Sequence, residues 1–374
     1  MNKLKSLLND IRTRLVHAYM DARDNNLRKN RYKVGQRTLL IKLGHLSPLS
    51  SSQREEVLSF WNQYRDVSKV MQWFEFYNWC SDGKADIKRY IPDSIYYSEV
   101  DTVFTEPRRS YELDDKNHYD LFFHDVRMPK TIVRKCKGLL MDREYHVVSL
   151  ERAVELCRQA KYVISKPARN SEGGKGIRFF DFTAGDETEE LKKWLTDSGD
   201  LIVQDVIKQH EAINQLYAES VNSIRIMSIM LDGEIHILSS VLRMGRNGAK
   251  IDNTSNGGIV CGIKEDGWLR EVAFDNTGEK YSSHPQGGAF KDYRIVGYDK
   301  CLDVIREVSG RMGTTTHLIS WDFAIDQDGE AVLIEVNLTF GGVNIHQMCN
   351  GPIFGDMTED ILSIVYHSNS KPKL

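Results

Sequence analysis

Apolar residues recur at helical spacing from the start of the chain. Leu4, Leu7, Leu8, Ile11, Leu15 and Tyr19 fall three and four positions apart, which predicts an amphipathic helix. Ser52 followed by Glu55 has the form of a capping box, in which side chains and backbone donors satisfy one another. It leads into Val57, Leu58, Trp61 and Tyr64 at the same period, a second predicted helix. Trp73, Phe74, Phe76, Tyr77 and Trp79 form an aromatic-rich stretch that reads as core packing rather than as a stacking surface.

From Asp115 the texture changes to short apolar runs separated by turns, the pattern of an α/β region. Residues 131–133 and 145–148 read as strands on either side of Asp142-Arg143, and Ser149 caps a helix with apolar positions Leu150, Val154 and Cys157. Two further strands, 162–165 and 177–182, flank the loop 166–176, and another runs over 201–206. Asp232-Gly233 is a hairpin signal between 224–231 and 235–242, and Asp328-Gly329 is a second one between 318–325 and 331–336, so antiparallel pairing is expected.

Composition narrows the class. A chain of 374 residues exceeds the roughly 250–300 at which single cores stop growing, so more than one lobe is expected. With 41% hydrophobic and 28% charged residues it reads as globular. Lys3, Lys5, Asp10, Arg12 and Arg14 interrupt the first apolar positions, unlike a signal peptide, and no segment approaches the roughly 20 apolar residues of a membrane span. The six cysteines are scattered with no Cys-x-x-Cys pair, which argues against a structural zinc site or a disulfide framework; a reducing, cytoplasmic compartment is the simple reading. The net charge of -3 hides a basic arm: residues 1–42 hold eleven Lys and Arg against Asp10, Asp21 and Asp24. Such an arm is either a solvated helix face or a contact for an anionic membrane surface or nucleic acid; no named nucleic-acid motif is present, and no nucleic-acid partner is expected.

Two constellations carry chemistry. Lys166-Pro167 followed by Gly173, Gly174 and Gly176 puts a lysine at a strand end before a glycine-rich loop, a phosphate cradle in principle, because glycine lets backbone N–H groups approach an oxyanion. It is not a Walker loop. In Trp321-Asp322-Phe323 and Ile334-Glu335-Val336-Asn337, side-chain alternation puts Glu335 and Asn337 on one face, and pairing through Asp328-Gly329 can bring Asp322 beside Glu335. Two carboxylates and an amide oxygen suit magnesium bridging phosphates; the alternative is the wet side of a hairpin.

These features in this order resemble the ATP-grasp superfamily, beginning at Asp115-Lys116 with Pro129 following, as in the D-alanyl-D-alanine ligase branch. The resemblance implies ATP and Mg(II) as cofactors, with Mn(II) as the alternative cation. It assigns phosphate contacts to Lys116, Lys166, Gly173, Gly174 and Gly176, the adenine strand to Gln204, Asp205, Val206 and Ile207, and metal ligation to Asp322, Glu335 and Asn337. His210 or Glu211 falls near the ribose position. Asn222-Ser223-Ile224-Arg225, Leu242-Arg243-Met244-Gly245 and 252–258 resemble more narrowly the sugar-transfer-associated ATP-grasp group, with Arg225 and Arg243 as catalytic candidates. Lys250 and Asn253 stand on a glycine-flanked loop that could close on substrate, and His346 reads as structural.

The implied fold is α+β: two ATP-grasp lobes, 115–207 and 208–374, sandwiching ATP behind a mainly helical region 1–114. The implied activity is carboxylate–amine ligation through an acyl phosphate, with a carboxylate and an amine as partners, in polysaccharide or cell-envelope synthesis. A small-molecule kinase and a non-catalytic nucleotide-binding scaffold are the alternatives. One departure stands out: the ligase branch carries arginine two residues before the first metal Asp, and here that position is Ser320.

Overall fold

The computed structural model describes residues 22–105, 110, 113–169, 174–313 and 316–367. The helix expected on Leu4 to Tyr19 and the loop glycine Gly173 lie outside them. The chain divides into two compact units, one containing residues up to Phe104 together with the segment from Phe354, the other running from Thr105 to Ile353. The first unit thus ends ten residues before position 114, and the last part of the expected 208–374 lobe belongs to it.

The first unit is helical. Residues 22–40 form α1, followed by α2 (Ser51–Asn62) and α3 (Met71–Cys80). The capping box is built on Ser50 and Gln53 rather than on Ser52 and Glu55: the Ser50 hydroxyl accepts from Gln53 N, and Gln53 Oε1 accepts from Ser50 N. Three successive serines offered the cap, and Ser52 already lies inside the first turn. Trp73, Phe74, Phe76 and Tyr77 are buried, and Tyr77 stacks on Tyr90 with ring centroids 4.5 Å apart, so the aromatic stretch is core.

The second unit contains two antiparallel sheets. The five-stranded sheet has the order β2-β1-β5-β3-β4, from β1 (Thr131–Cys136), β2 (Leu139–Met141), β3 (Tyr162–Pro167), β4 (Arg178–Asp181) and β5 (Leu201–Asp205). Helices α4 (Leu150–Ala160) and α5 (Thr188–Asp197) share a core with it through Val133, Val163, Phe180 and Val203. Residues 145–148 are not a strand. Asp142 Oδ1 accepts from the backbone of Glu144 and His146, Tyr145 takes φ 66°, and only Val147 bridges back to Met141. Tyr145 is instead drawn to the Asp120 carboxylate, with the Arg134 guanidinium 3.8 Å from its ring centre.

The seven-stranded sheet has the order β10-β9-β8-β7-β6-β11-β12. Its strands are β6 (Ile224–Leu231), β7 (Glu234–Met244), β8 (Ile259–Ile263), β9 (Leu269–Asp275), β10 (Lys280–Tyr281), β11 (Leu318–Ile325) and β12 (Ala331–Asn337). Helices α6 (Tyr298–Met312) and α7 (Val343–Asn350) cover opposite faces. Consecutive residues of β7 establish this: Ser240 Oγ meets Tyr298 Oη at 2.8 Å, whereas Ser239 Oγ meets His346 Nδ1 at 2.9 Å. The apolar core lies on the α6 side, where Ile224, Ile226, Leu242, Met244, Trp321, Phe323 and Val336 pack with Cys301 and Ile305.

Candidate functional site

Every polar residue singled out on β6, β7, β11 and β12 alternates with one of those core residues. Burial of Ile224 and Ile226, Leu242 and Met244, Trp321 and Phe323 therefore turns Arg225, Arg243 and Asp322 to the other face, where α7 begins. Asp322 stands directly opposite Arg225 on β6 and opposite Glu335 on β12, and Ser320 stands opposite Asn337.

Asp322 is saturated with donors. Arg225 Nε and Nη2 reach Oδ1 and Oδ2, each at 2.7 Å, Arg243 Nη2 reaches Oδ2 at 3.1 Å, and the Asn337 amide lies 3.4 Å from Oδ2. Burial would raise this carboxyl, but Arg225, Arg243 and Asn337 outweigh it and hold it at about 2. Burial works against the Arg225 charge too, and Asp322 reverses that, so its pKa is raised. Arg243 is fixed from behind by Ser223 Oγ, 2.9 Å from Nε and 2.6 Å from Nη2, while Asp252 accepts from Ser223 N at 2.9 Å and from its hydroxyl.

The place of the missing arginine is filled. Ser320 Oγ donates to Gly341 O at 3.1 Å, and a Cβ on Gly341 would stand 2.2 Å from that hydroxyl, so backbone occupies the ground a long side chain would need. The guanidinium beside Asp322 comes from the neighbouring strand.

Lys166 comes to the same site from the five-stranded sheet, and Lys116 from a short turn bonded to the end of its strand β3. Asp115 Oδ1 caps the short turn Lys116–His118 by accepting from Asn117 N at 3.0 Å, Lys116 N bonds to Ala168 O at 3.0 Å, and Lys116 Nζ pairs with Glu335 Oε1 at 2.7 Å. On β3, Ser165 faces α5 by accepting from Trp194 Nε1 at 2.9 Å, which turns Lys166 to the opposite face. Burial pushes Lys166 down to about 8 against the pull of Glu335, with Lys116 adding to the depression. Asp114 is pushed up to about 6 by burial, with Lys116 opposing.

Gln204 lies on the Lys166 face, opposite Ile164, and donates to Pro129 O at 3.3 Å; Asp205 N bonds to Lys130 O at 3.0 Å, and Val206 and Ile207 follow the strand. Of the loop glycines, Gly174 and Gly176 have φ of 73° and 74°. A Cβ on Gly176 would also meet Pro167 Cγ at 2.7 Å, and one on Gly174 would meet Ile251 Cγ2 at 3.0 Å.

Other candidates do not converge. His210 Nδ1 caps a short helix by accepting from Ala212 N, Asn253 caps a turn by accepting from Ser255 N, and Lys250 is exposed. His346 is fully buried, and burial together with Arg225 pushes its imidazole down to about 3. Sequence reading missed Asp252 and Asp114; Asp252 sits inside the quoted 252–258 stretch, but only its contact with Ser223 reveals its use.

Oxygen donors suited to a divalent cation are unequal. Glu335 and Asn337 share a face, and Asn337 turns its amide nitrogen toward Asp322, which leaves its carbonyl oxygen for a cation. Two such ligands fit magnesium, which usually takes one or two carboxylates and completes its shell with phosphate and water. Asp322 already has both oxygens engaged by guanidiniums, and no group of three or more His, Cys, Asp or Glu is arranged for a metal among the described residues.

Among solved structures, one described as D-alanyl-alanine synthetase A from Vibrio cholerae O1 biovar eltor is 13% identical, covering 69% of this chain and 68% of that one, with a TM-score of 0.41. An L-amino acid ligase from Bacillus licheniformis is 14% identical, covering 67% of this chain and 47% of its own, with a TM-score of 0.38. A biotin carboxylase from Campylobacter jejuni solved with β-γ-ATP is 14% identical, covering 72% of this chain and 50% of its own, with a TM-score of 0.43. No protein of curated function matches the sequence. The family model for sugar-transfer associated ATP-grasp proteins matches residues 102–361, well over half of the chain and the whole of the site above, and the chain belongs to that family.

Proposed function

We propose that the chain is a cytoplasmic, ATP-dependent carboxylate–amine ligase that builds an amide into a polysaccharide or cell-envelope component. One observation carries this reading: Lys116 from a turn, Lys166 from one sheet and Arg225 and Arg243 from the other gather around Glu335, Asn337 and Asp322, with Asp322 held by the guanidiniums and Glu335 and Asn337 left as oxygen donors. Such a site suits a triphosphate and a carboxylate together.

In this reading the adenine lies along Gln204, Asp205, Val206 and Ile207, and the phosphates lie against Lys116, Lys166 and the backbone at Gly174 and Gly176. Magnesium, or manganese in its place, would be held by Glu335 and Asn337 and would neutralise the β and γ phosphates, with Asp322 joining only on release from its guanidiniums. A carboxylate oxygen attacks the γ phosphorus, the bond to the bridging oxygen breaks, and ADP departs. An amine nitrogen then attacks the acyl carbon, phosphate leaves with the acyl oxygen, and the nitrogen gives up its proton. Arg225 and Arg243, locked by Asp322 and Ser223, orient the carboxylate and meet the developing charge without reorganising.

The test is calorimetry of ATP with Mg(II) on the wild type, Lys166→Ala and Glu335→Ala/Asn337→Ala, followed by turnover with acid and amine pairs in hydroxylamine. Binding lost in both variants and a trapped hydroxamate support the ligase; a stable phosphate ester would make it a kinase. No ATP binding by folded wild type would end the reading.

A further inference from the structure

The helix α1 presents a face that is exposed among the described residues and that the ATP site does not use. Its inward side is fixed: Arg31 Nη1 bonds to Asp101 Oδ2 at 2.6 Å, Gln36 bonds to Ser94 Oγ at 3.2 Å, and Gly35 lies so close that a Cβ there would be 2.5 Å from Ser94 Cα. Leu39 and Lys42 are buried on the same side.

At about 100° per residue, Leu27 and Val34, spaced by seven, fall about 20° apart on the outer side, and Ile41 follows in the turn just past the helix. They are 36%, 42% and 46% exposed, and Leu40, also on the outer half, is 64% exposed. Arg23, Lys29, Lys33 and Arg37 share that half with Asn26 and Asn30, and all six are exposed. The one acid of residues 22–43, Asp24, precedes Arg31 by seven and so falls toward the inward side. The outer half therefore mixes aliphatic and cationic residues with two neutral amides and holds no carboxylate.

We infer that this face of α1 docks on an anionic lipid bilayer, the aliphatic residues entering the headgroup boundary while the lysines and arginines meet lipid phosphates. Cations with long stems keep their charge in the headgroup layer while the stems lie in apolar surroundings, so the two residue classes cooperate. A nucleic acid would use the cations and leave Leu27, Val34, Leu40 and Ile41 in water, which is why the lipid surface is the better match. The inference is independent of the ligase reading.

The experiment is co-sedimentation of the full chain with phosphatidylglycerol-rich and with phosphatidylcholine vesicles across a salt series. The wild type should pellet with the anionic vesicles alone and be released as salt rises. Lys29→Glu/Lys33→Glu/Arg37→Glu should abolish binding, each lost cation costing on the order of fivefold in partition. Leu27→Ser/Val34→Ser/Leu40→Ser/Ile41→Ser should weaken it at least tenfold. These side chains are exposed, and unchanged thermal unfolding checks each variant; the salt series on the wild type needs no variant. A folded wild type that stays in solution with anionic vesicles overturns the inference, as does binding that survives both sets of changes. So does a preference for duplex DNA that is indifferent to the serine substitutions.

Discussion

Asp322 and Arg225, directly opposite on adjacent strands, form a two-pronged ion pair with both contacts at 2.7 Å, shielded from water on the polar face of the seven-stranded sheet. Removing the carboxylate strands two guanidiniums, those of Arg225 and Arg243. We expect Asp322→Asn to lose about 3–5 kcal/mol of stability in urea unfolding, the range for breaking one side of a buried pair. Arg225→Met with Asp322→Asn should lose less than the two single changes summed, because the second change removes a charge the first left uncompensated.

Lys166 should make nucleotide affinity fall at alkaline pH. Burial lowers its pKa to about 8, so the free protein carries the charge below that value and loses it above. A phosphate needs the charged form. ATP affinity is expected to be flat below pH 7 and to decline between pH 8 and 9, approaching about tenfold per unit at the upper end. Lys166→Arg should flatten the profile, and calorimetry at a series of pH values reads it; a wild-type profile flat to pH 9 would remove Lys166 from the phosphate site.

Glu335→Gln should separate folding from binding. Glu335 is partly exposed but its partner Lys116 is buried, and glutamine keeps an oxygen to accept from the ammonium, so stability should fall by about 1–3 kcal/mol, less than for Asp322→Asn. Magnesium-dependent ATP affinity should drop at least tenfold. A variant that binds Mg-ATP like the wild type would transfer the cation to other ligands.

Gly176→Ala should act locally. Its φ of 74° and the 2.7 Å approach to Pro167 Cγ both oppose a side chain, costing roughly 1–3 kcal/mol of backbone strain. The turn after β3 must then move, and ATP affinity should fall more than the melting temperature does. Equal loss of both would point to a purely structural glycine.

Much of the site was legible because it alternates with core. Arg225 between Ile224 and Ile226, and Asp322 between Trp321 and Phe323, announce a polar face on buried strands, and Asp328-Gly329 announces the hairpin; its register alone would set Asp322 against Ile334, and an irregularity between Asp322 and Phe323, which the sequence does not signal, brings Glu335 opposite instead. What failed was governed by contacts distant in sequence. Residues 145–148 have strand-like composition, but Asp120 and Arg134 capture Tyr145 and hold the segment in a turn. The strands β8, β9 and β10 are short runs whose identity comes from pairing with β7 and with one another. Asp252 has no pattern of its own until Ser223 is beside it.

The pairing of Lys116 with Glu335 has a thermodynamic consequence in the proposed reaction. A phosphate that draws Lys116 to itself takes from Glu335 its counter-charge at 2.7 Å, and a divalent cation arriving at Glu335 restores it. Nucleotide and cation then each lower the cost of admitting the other, and by linkage the factor by which magnesium tightens ATP must equal the factor by which ATP tightens magnesium. In the proposed reaction the resting ion pair thus makes the site a coincidence gate, weakly occupied by either ligand alone and fully engaged when both are present.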